Sequence, residues 1–156
     1  MPELTPCLWF DTQGEDAANF YVSVFPNSKV LHVSHYGEAG PREPGSVMTV
    51  SFELDGKRFL ALNGGPEFRF SEAVSFQVDC SSQDEVDHYW SALSEGGEEG
   101  PCGWLKDRFG LSWQIVPSRL PELLEGADQE KAQRVMGAML KMRKIEISEL
   151  ERAAAA

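Results

Sequence analysis

No apolar run in this sequence approaches the roughly 20 residues needed to cross a bilayer. Its start, MPELTPCLWFD, carries no basic segment followed by an apolar one. The three cysteines, Cys7, Cys80 and Cys102, are odd in number and form no C-x-x-C spacing, which argues against a zinc ribbon and against a secreted disulfide framework. Reduced thiols and a cytoplasmic address are therefore expected. Positive charge is scarce: 14 Lys and Arg stand against 25 Asp and Glu, a net charge of −11. Such a chain repels phosphate backbones and anionic lipid, so neither nucleic acid nor a membrane is expected as a partner. Acidity also keeps many proteins in solution, with no bearing on what they bind. Also missing is a glycine-rich turn after a first strand with an acidic residue closing the next, the pattern that a nucleoside-type cofactor such as S-adenosylmethionine would need.

What is present is an ordinary globular composition, long enough at 156 residues to bury a core without covalent staples. The most ordered stretch is Cys102 to Pro117, CGWLKDRFGLSWQIVP. Lys106-Asp107-Arg108-Phe109-Gly110 reads as the turn of a hairpin, Gly110 supplying positive φ. In the second arm, alternation puts Leu111, Trp113 and Ile115 on one face and Ser112 and Gln114 on the other. Trp113 is thus a core residue. The polar face reads either as a solvated edge or as the wall of a cavity, with Trp104 a candidate for a pocket rim or a subunit seam.

Along the chain, Leu4 to Phe10 reads as a strand, closed by the turn Asp11-Thr12-Gln13-Gly14. A helix follows through Phe25, with Glu15 and Asp16 in its first turn where the helix dipole favours acids. Lys29 to Tyr36 reads as a strand with His32 and His35 on opposite faces, and Gly37 to Gly45 as a loop. Ser46 to Leu54, Asp55-Gly56 and Lys57 to Asn63 make the clearest hairpin signal, since Asp-Gly suits a primed turn. Ala73 to Cys80 is another strand, and Ser81 or Ser82 caps a helix that stops at Gly96-Gly97. Two short strands, around Glu98 to Cys102 and Gly103 to Lys106, lead into the hairpin. From Ser118 the pattern is helical, with Val135, Met139 and Met142 on one stripe that packs either on its own domain or on a second subunit. Asp11 and Asp79 read as helix-capping turn residues, and Asp107 as turn chemistry. His32, His35 and His88 read as surface or packing residues.

Shifting the chain against itself by about 68 residues superposes Leu8 on Phe76, Asp11 on Asp79, Asp16 on Asp84, Tyr21 on Tyr89 and Phe25 on Leu93. Both halves share the element order βαβββ. The expected class is α+β: two βαβββ modules whose sheets form a cup with outer helices, plus a C-terminal helical tail. The domain spans 1–118, with modules of about 1–66 and 67–118, and the helical extension spans 119–156.

The stretches Thr5 to Val30, Phe59 to Pro66, Cys102 to Pro117 and Glu130 to Met142 resemble the PhnB-like branch of the vicinal oxygen chelate superfamily, which includes glyoxalase I, bleomycin-resistance proteins and extradiol dioxygenases. The resemblance implies a small cytoplasmic homodimer that binds a small organic ligand. Metal-dependent relatives hold a divalent ion with His, Gln or Glu from the first, fourth, fifth and eighth strands. Here those places fall at Thr5 or Pro6, at Leu62 or Asn63, near Ala73, and at Gln114. The donors are poor, so no metal and no other cofactor is expected. Alternation and the family geometry together put Asn63, Ser75, Gln77, Ser112 and Gln114 inside the cup, joined by Thr5, Cys7 and Trp9 if the first strand is so set. Hydroxyls and amides among apolar walls hydrogen-bond a neutral ligand or water equally well. Whether a reaction is catalysed stays open: rival readings are an enzyme, including the methyltransferase that the family's label names, and a protein that sequesters a cationic drug.

Overall fold

The computed structural model describes residues 2–156. The chain divides into two compact units, the first ending at Phe70 and the second running from Ser71 to Ala156. In the first, β1 (Cys7–Phe10) and α1 (Gly14–Val24) precede β2 (Lys29–His35), β3 (Val47–Leu54) and β4 (Lys57–Asn63). In the second, β5 (Ser75–Cys80) and α2 (Gln83–Ser94) precede β6 (Glu98–Glu99), β7 (Trp104–Lys106) and β8 (Ser112–Pro117). The sheets are ordered β1-β4-β3-β2 and β5-β8-β7-β6. In each, the first and last strands of the module pair in parallel and the other neighbours antiparallel. The duplicated βαβββ order is thus the architecture, in two mixed four-stranded sheets.

In the first unit, α1 brings Ala17, Ala18, Tyr21 and Val24 against the face of the sheet that carries Val50, Phe52 and Leu54. The two alanines let the backbone approach closely, and Tyr21 stacks on Phe52 at 6.2 Å between ring centroids. Burying Phe52 completely contributes about 2–3 kcal/mol. Asp55 and Gly56 have φ of 49° and 79°, as a primed hairpin turn needs.

Three expectations need correction here. Asp11 does not cap α1: the backbone N–H of Gly14 donates to the Asn63 side-chain oxygen at 2.8 Å, while Asp11 meets Arg42 at 3.6 Å. Nor does Asp79 cap α2. Ser82 does so, accepting from the N–H of Glu85 at 3.2 Å, and the Glu85 carboxylate returns to accept from the N–H of Ser81 at 2.6 Å. The third concerns β2, which does not alternate cleanly. Register shifts put His32 opposite Ser51 and His35 opposite Val47, both odd-numbered residues of β3, so strict two-residue alternation does not describe the pair.

The tail packs with the second unit. Helices α3 (Arg119–Leu124), α4 (Gln129–Met139) and α5 (Ile147–Ala155) gather Leu120, Leu123, Val135, Ile145 and Leu150 into a cluster, with Met139 and Met142 against it. Val116 of β8 packs against this cluster, and hydrogen bonds add to the link with the sheet. The N–H groups of Cys102 and Gly103 donate to the carbonyls of Met142 and Arg143, each at 2.8 Å. The Gln83 amide on α2 donates to the Ile145 carbonyl and accepts from the N–H of Ile147. Gly103 has φ of 84°, and a Cβ there would lie 2.7 Å from the Ile115 carbonyl, so only glycine fits between tail and sheet. No helix among the described residues is long and apolar enough to cross a membrane.

Candidate functional site

The hairpin between β7 and β8 is built on Asp107, which is 2% exposed. Its carboxylate accepts from the N–H of Phe109 at 2.9 Å, the N–H of Leu111 at 3.1 Å and the Trp113 indole N–H at 2.9 Å. Turn chemistry is the role the sequence suggests, and the structure agrees. By holding Trp113 in the α2-facing core, Asp107 fixes which residues of β8 look the other way.

Those residues are Ser112 and Gln114. Parallel register sets Ser75 beside Ser112 and Gln77 beside Gln114, whereas Phe76 and Val78 accompany the core residues Trp113 and Ile115. Antiparallel register adds Trp104 beside Gln114 and Lys106 beside Ser112. Four of the expected site residues therefore share the face turned away from α2. The Gln114 amide donates to the Ser75 hydroxyl at 2.9 Å, and the Gln77 amide donates to Asp79 at 2.8 Å.

Ser112 is different. It is 1% exposed, and its hydroxyl is the buried side-chain oxygen without a protein hydrogen-bond partner among the described residues. Leaving a hydroxyl so costs about 1–3 kcal/mol. Ser112 lines a cavity of about 330 Å³ whose walls include Pro101, Trp104 and Leu105 and whose polar members are Glu72, Glu98, Glu99 and Lys106. Lys106 and Glu72 form an ion pair. Their hydrogen bond, more than the bare attraction of the charges, holds the carboxyl of Glu72 below its ordinary range and raises the ammonium of Lys106. Sequence reasoning passed over Glu72 and Lys106. Two-residue spacing from Trp104 was the available signal for Lys106, but Glu72 lies outside any strand and gave none.

The first unit offers a different surface. Cys7 pairs with Leu60 and Trp9 with Leu62, on the face opposite Leu8, Phe10 and Ala61. Cys7 and Trp9 thus stand on the open face, and Thr5, just before β1, is half-buried. Trp9 is already engaged: its indole N–H donates to the Gly65 carbonyl at 2.8 Å and its ring meets Phe68 edge-on at 4.9 Å. Asn63 requires correction. It pairs with Phe10 on the α1 side, where its side chain also donates to the carbonyls of Thr12 and Val47, so it closes the β1–α1 turn and does not face the open side. A one-residue difference in register moved it to the other face.

The same pairings settle a register ambiguity. Gln114 beside Gln77 in β5 occupies the place that Leu62 beside Trp9 occupies in the first unit. Leu62, and not Asn63, is therefore the counterpart of Gln114. Of the positions to which the resemblance carries metal ligands, the first unit has Thr5 or Pro6 and Leu62, and the second has Gln114 and the neighbourhood of Ala73; among the named residues there is one carboxamide and no imidazole or carboxylate. Among the described residues no cluster of three or more His, Cys, Asp and Glu side chains could hold an ion. Neither unit's residues at these positions offer the imidazoles or carboxylates that a divalent metal prefers. His88 stands on α2 against Tyr89, outside the sheet.

The thiols are unpaired. Burial first, then the Glu85 and Asp79 carboxylates, push the Cys80 thiol up to about 12, and burial also raises Cys7. Neither is a thiolate at neutral pH.

Two βαβββ units, each a mixed four-stranded sheet with one helix, are the architecture of the vicinal oxygen chelate class. More narrowly, the chain belongs to the 3-demethylubiquinone-9 3-methyltransferase family, the PhnB-like branch of that superfamily, whose profile matches residues 2–116. The PhnB protein of Bacillus cereus is 31% identical, with a TM-score of 0.67 over 75% of this chain and 100% of its own. Protein PA1353 of Pseudomonas aeruginosa shares the fold at 18% identity and a TM-score of 0.63, over 75% of this chain and 98% of its own. So does the fosfomycin resistance protein FosX of Listeria monocytogenes, solved with Mn(II) and sulfate, at 19% identity and a TM-score of 0.53, over 80% and 98%. No curated protein matches the sequence.

Proposed function

We propose that this is a small-molecule-binding protein that works without a bound metal, and that the open face of the second unit's sheet is where the ligand is held. The buried hydroxyl of Ser112 beside the cavity carries the reading, because a ligand polar atom there would relieve a desolvation cost that the fold otherwise bears. Ser75, Gln77 and Gln114 supply further neutral donors and acceptors on the same face. Thr5, Cys7 and Trp9 would serve a ligand in the first unit. Native mass spectrometry of freshly purified protein tests this: a co-purified small molecule, lost in Ser112→Ala and Gln114→Ala, is expected. An empty protein whose melting temperature no metabolite panel shifts would contradict it, since a ligand at 100 times its Kd adds about 2.7 kcal/mol.

The family's name describes a methyl transfer. The chain lacks the glycine-rich turn that would seat S-adenosylmethionine, which supports binding over that chemistry. Turnover of labelled S-adenosylmethionine with a quinol acceptor would reverse the preference. A two-fold homodimer would cover the exposed apolar side chains of Leu4, Phe68, Val74 and Leu140, and the three free thiols fit a cytoplasmic address. Sedimentation at micromolar concentration should give twice the chain mass, and a monomer would count against it.

A further inference from the structure

Resting on that binding reading, we infer that the ligand of the second unit's cavity is a small organic monocation with a flat apolar body. The charges lining the cavity are unequal: Glu72, Glu98 and Glu99 stand against Lys106 alone. Lys106 is already paired with Glu72. Glu98 lies opposite Lys106 in the ladder between β6 and β7, yet neither Glu98 nor Glu99 forms an ion pair with any described residue. Lys106 is shared between Glu72 and Glu98, so an anion entering here would meet a surplus of two negative charges, whereas an ammonium or amidinium group would balance one of them.

The rest of the lining fits the other end of such a molecule. Trp104 and Pro101 offer apolar surface, and an indole face attracts both flat rings and cations. The Ser112 hydroxyl, buried and without a protein partner, is the fixed polar point at the wall. Carboxylates alone would describe only a solvated acidic rim. The buried orphan hydroxyl beside them makes the place a built site.

Three probes of one shape and different charge test this: 2-phenylethylammonium, 2-phenylethanol and 3-phenylpropionate, titrated into the full chain. Two-dimensional NMR follows the tryptophan indole N–H signals, with Trp104 assigned by Trp104→Phe. The ammonium is expected to move the Trp104 signal and to bind about three- to fivefold more tightly than the alcohol, with the carboxylate weakest. The preference should shrink as salt rises. Glu98→Gln with Glu99→Gln, both at exposed positions, should reduce it to less than about twofold. Ser112→Ala should weaken ammonium and alcohol alike. Equal binding of ammonium and alcohol, with the Trp104 signal still moving, would overturn the cation assignment and leave the binding face standing. Tighter binding of the carboxylate would do the same. No movement of the Trp104 signal with any probe at ~10 mM would overturn the inference and the binding reading beneath it together.

Discussion

Where the first unit pairs Cys7 with Leu60 and Trp9 with Leu62, the second pairs Ser75 with Ser112 and Gln77 with Gln114, at the same places in the same ladder. Two sheets of one topology thus carry different side chains on the equivalent strand pair. In the first, the β1–β4 pair is apolar, with Trp9 bonded to Gly65 and packed on Phe68, and its polar side chains, Thr49 and Ser51, stand on the neighbouring strand; in the second, the β5–β8 pair itself is polar, with one hydroxyl unmet. The fold depends on the opposite face in both, where Leu8, Phe10 and Ala61 or Trp113 and Ile115 pack beneath a helix. Open-face positions are consequently free to differ, and their chemistry tracks what each face meets.

The hairpins differ in the same way. The turn of the first unit is closed by backbone geometry at Asp55-Gly56; that of the second hangs on the buried carboxylate of Asp107. Asp107→Ala strands two backbone N–H groups and an indole N–H, so it should destabilise by about 3–5 kcal/mol in denaturant unfolding. Asp55→Ala should cost about 1 kcal/mol or less. Similar losses at the two sites would erase the contrast. Next in size, Asn63→Ala removes bonds to Gly14, Thr12 and Val47 and should cost about 2–3 kcal/mol, with little effect on ligand binding.

Ser112→Ala should act in the opposite direction. Deleting a buried hydroxyl that has no protein partner is expected to raise Tm by roughly 2–4 °C while weakening the ligand, as at sites where stability is given up for function. Loss of stability would mean that the hydroxyl is satisfied.

The smallest effect concerns the thiols. Cys80 is raised from 9.0 to about 12 in the folded protein, so its contribution to stability is intact below pH 9 and is lost as pH climbs from there towards 12. Cys80→Ala should flatten that alkaline decline in a pH series of melts. At pH 8, exposed Cys7 should react with a disulfide reagent about 100-fold faster than buried Cys80.

Much of this was legible in the sequence. The repeat gave the module order, the Asp-Gly dipeptide gave a turn at the right residues, and alternation in LSWQIV placed Trp113 inside and Ser112 and Gln114 outside the core. Errors arose where one residue decides a face. Asn63, last in its strand, was set on the wrong side, and the register shifts in β2 broke the alternation assumed for His32 and His35. The α2 cap falls on Ser82, one of the two serines expected, whereas Asp11 was misassigned at α1 because Asp, Asn and Ser compete for the same N–H groups and tertiary contact decided for Asn63. Glu72 could not be found at all, since its partnership with Lys106 spans a long separation in the chain and no motif marks it.

The most direct test of the central claim is backbone chemical-shift mapping with a small-fragment library on the full chain. Perturbations should gather on Ser75, Gln77, Trp104, Ser112 and Gln114 of the second unit. Perturbations confined to Cys7, Trp9, Leu60 and Leu62 of the first, or none in either sheet, would contradict it.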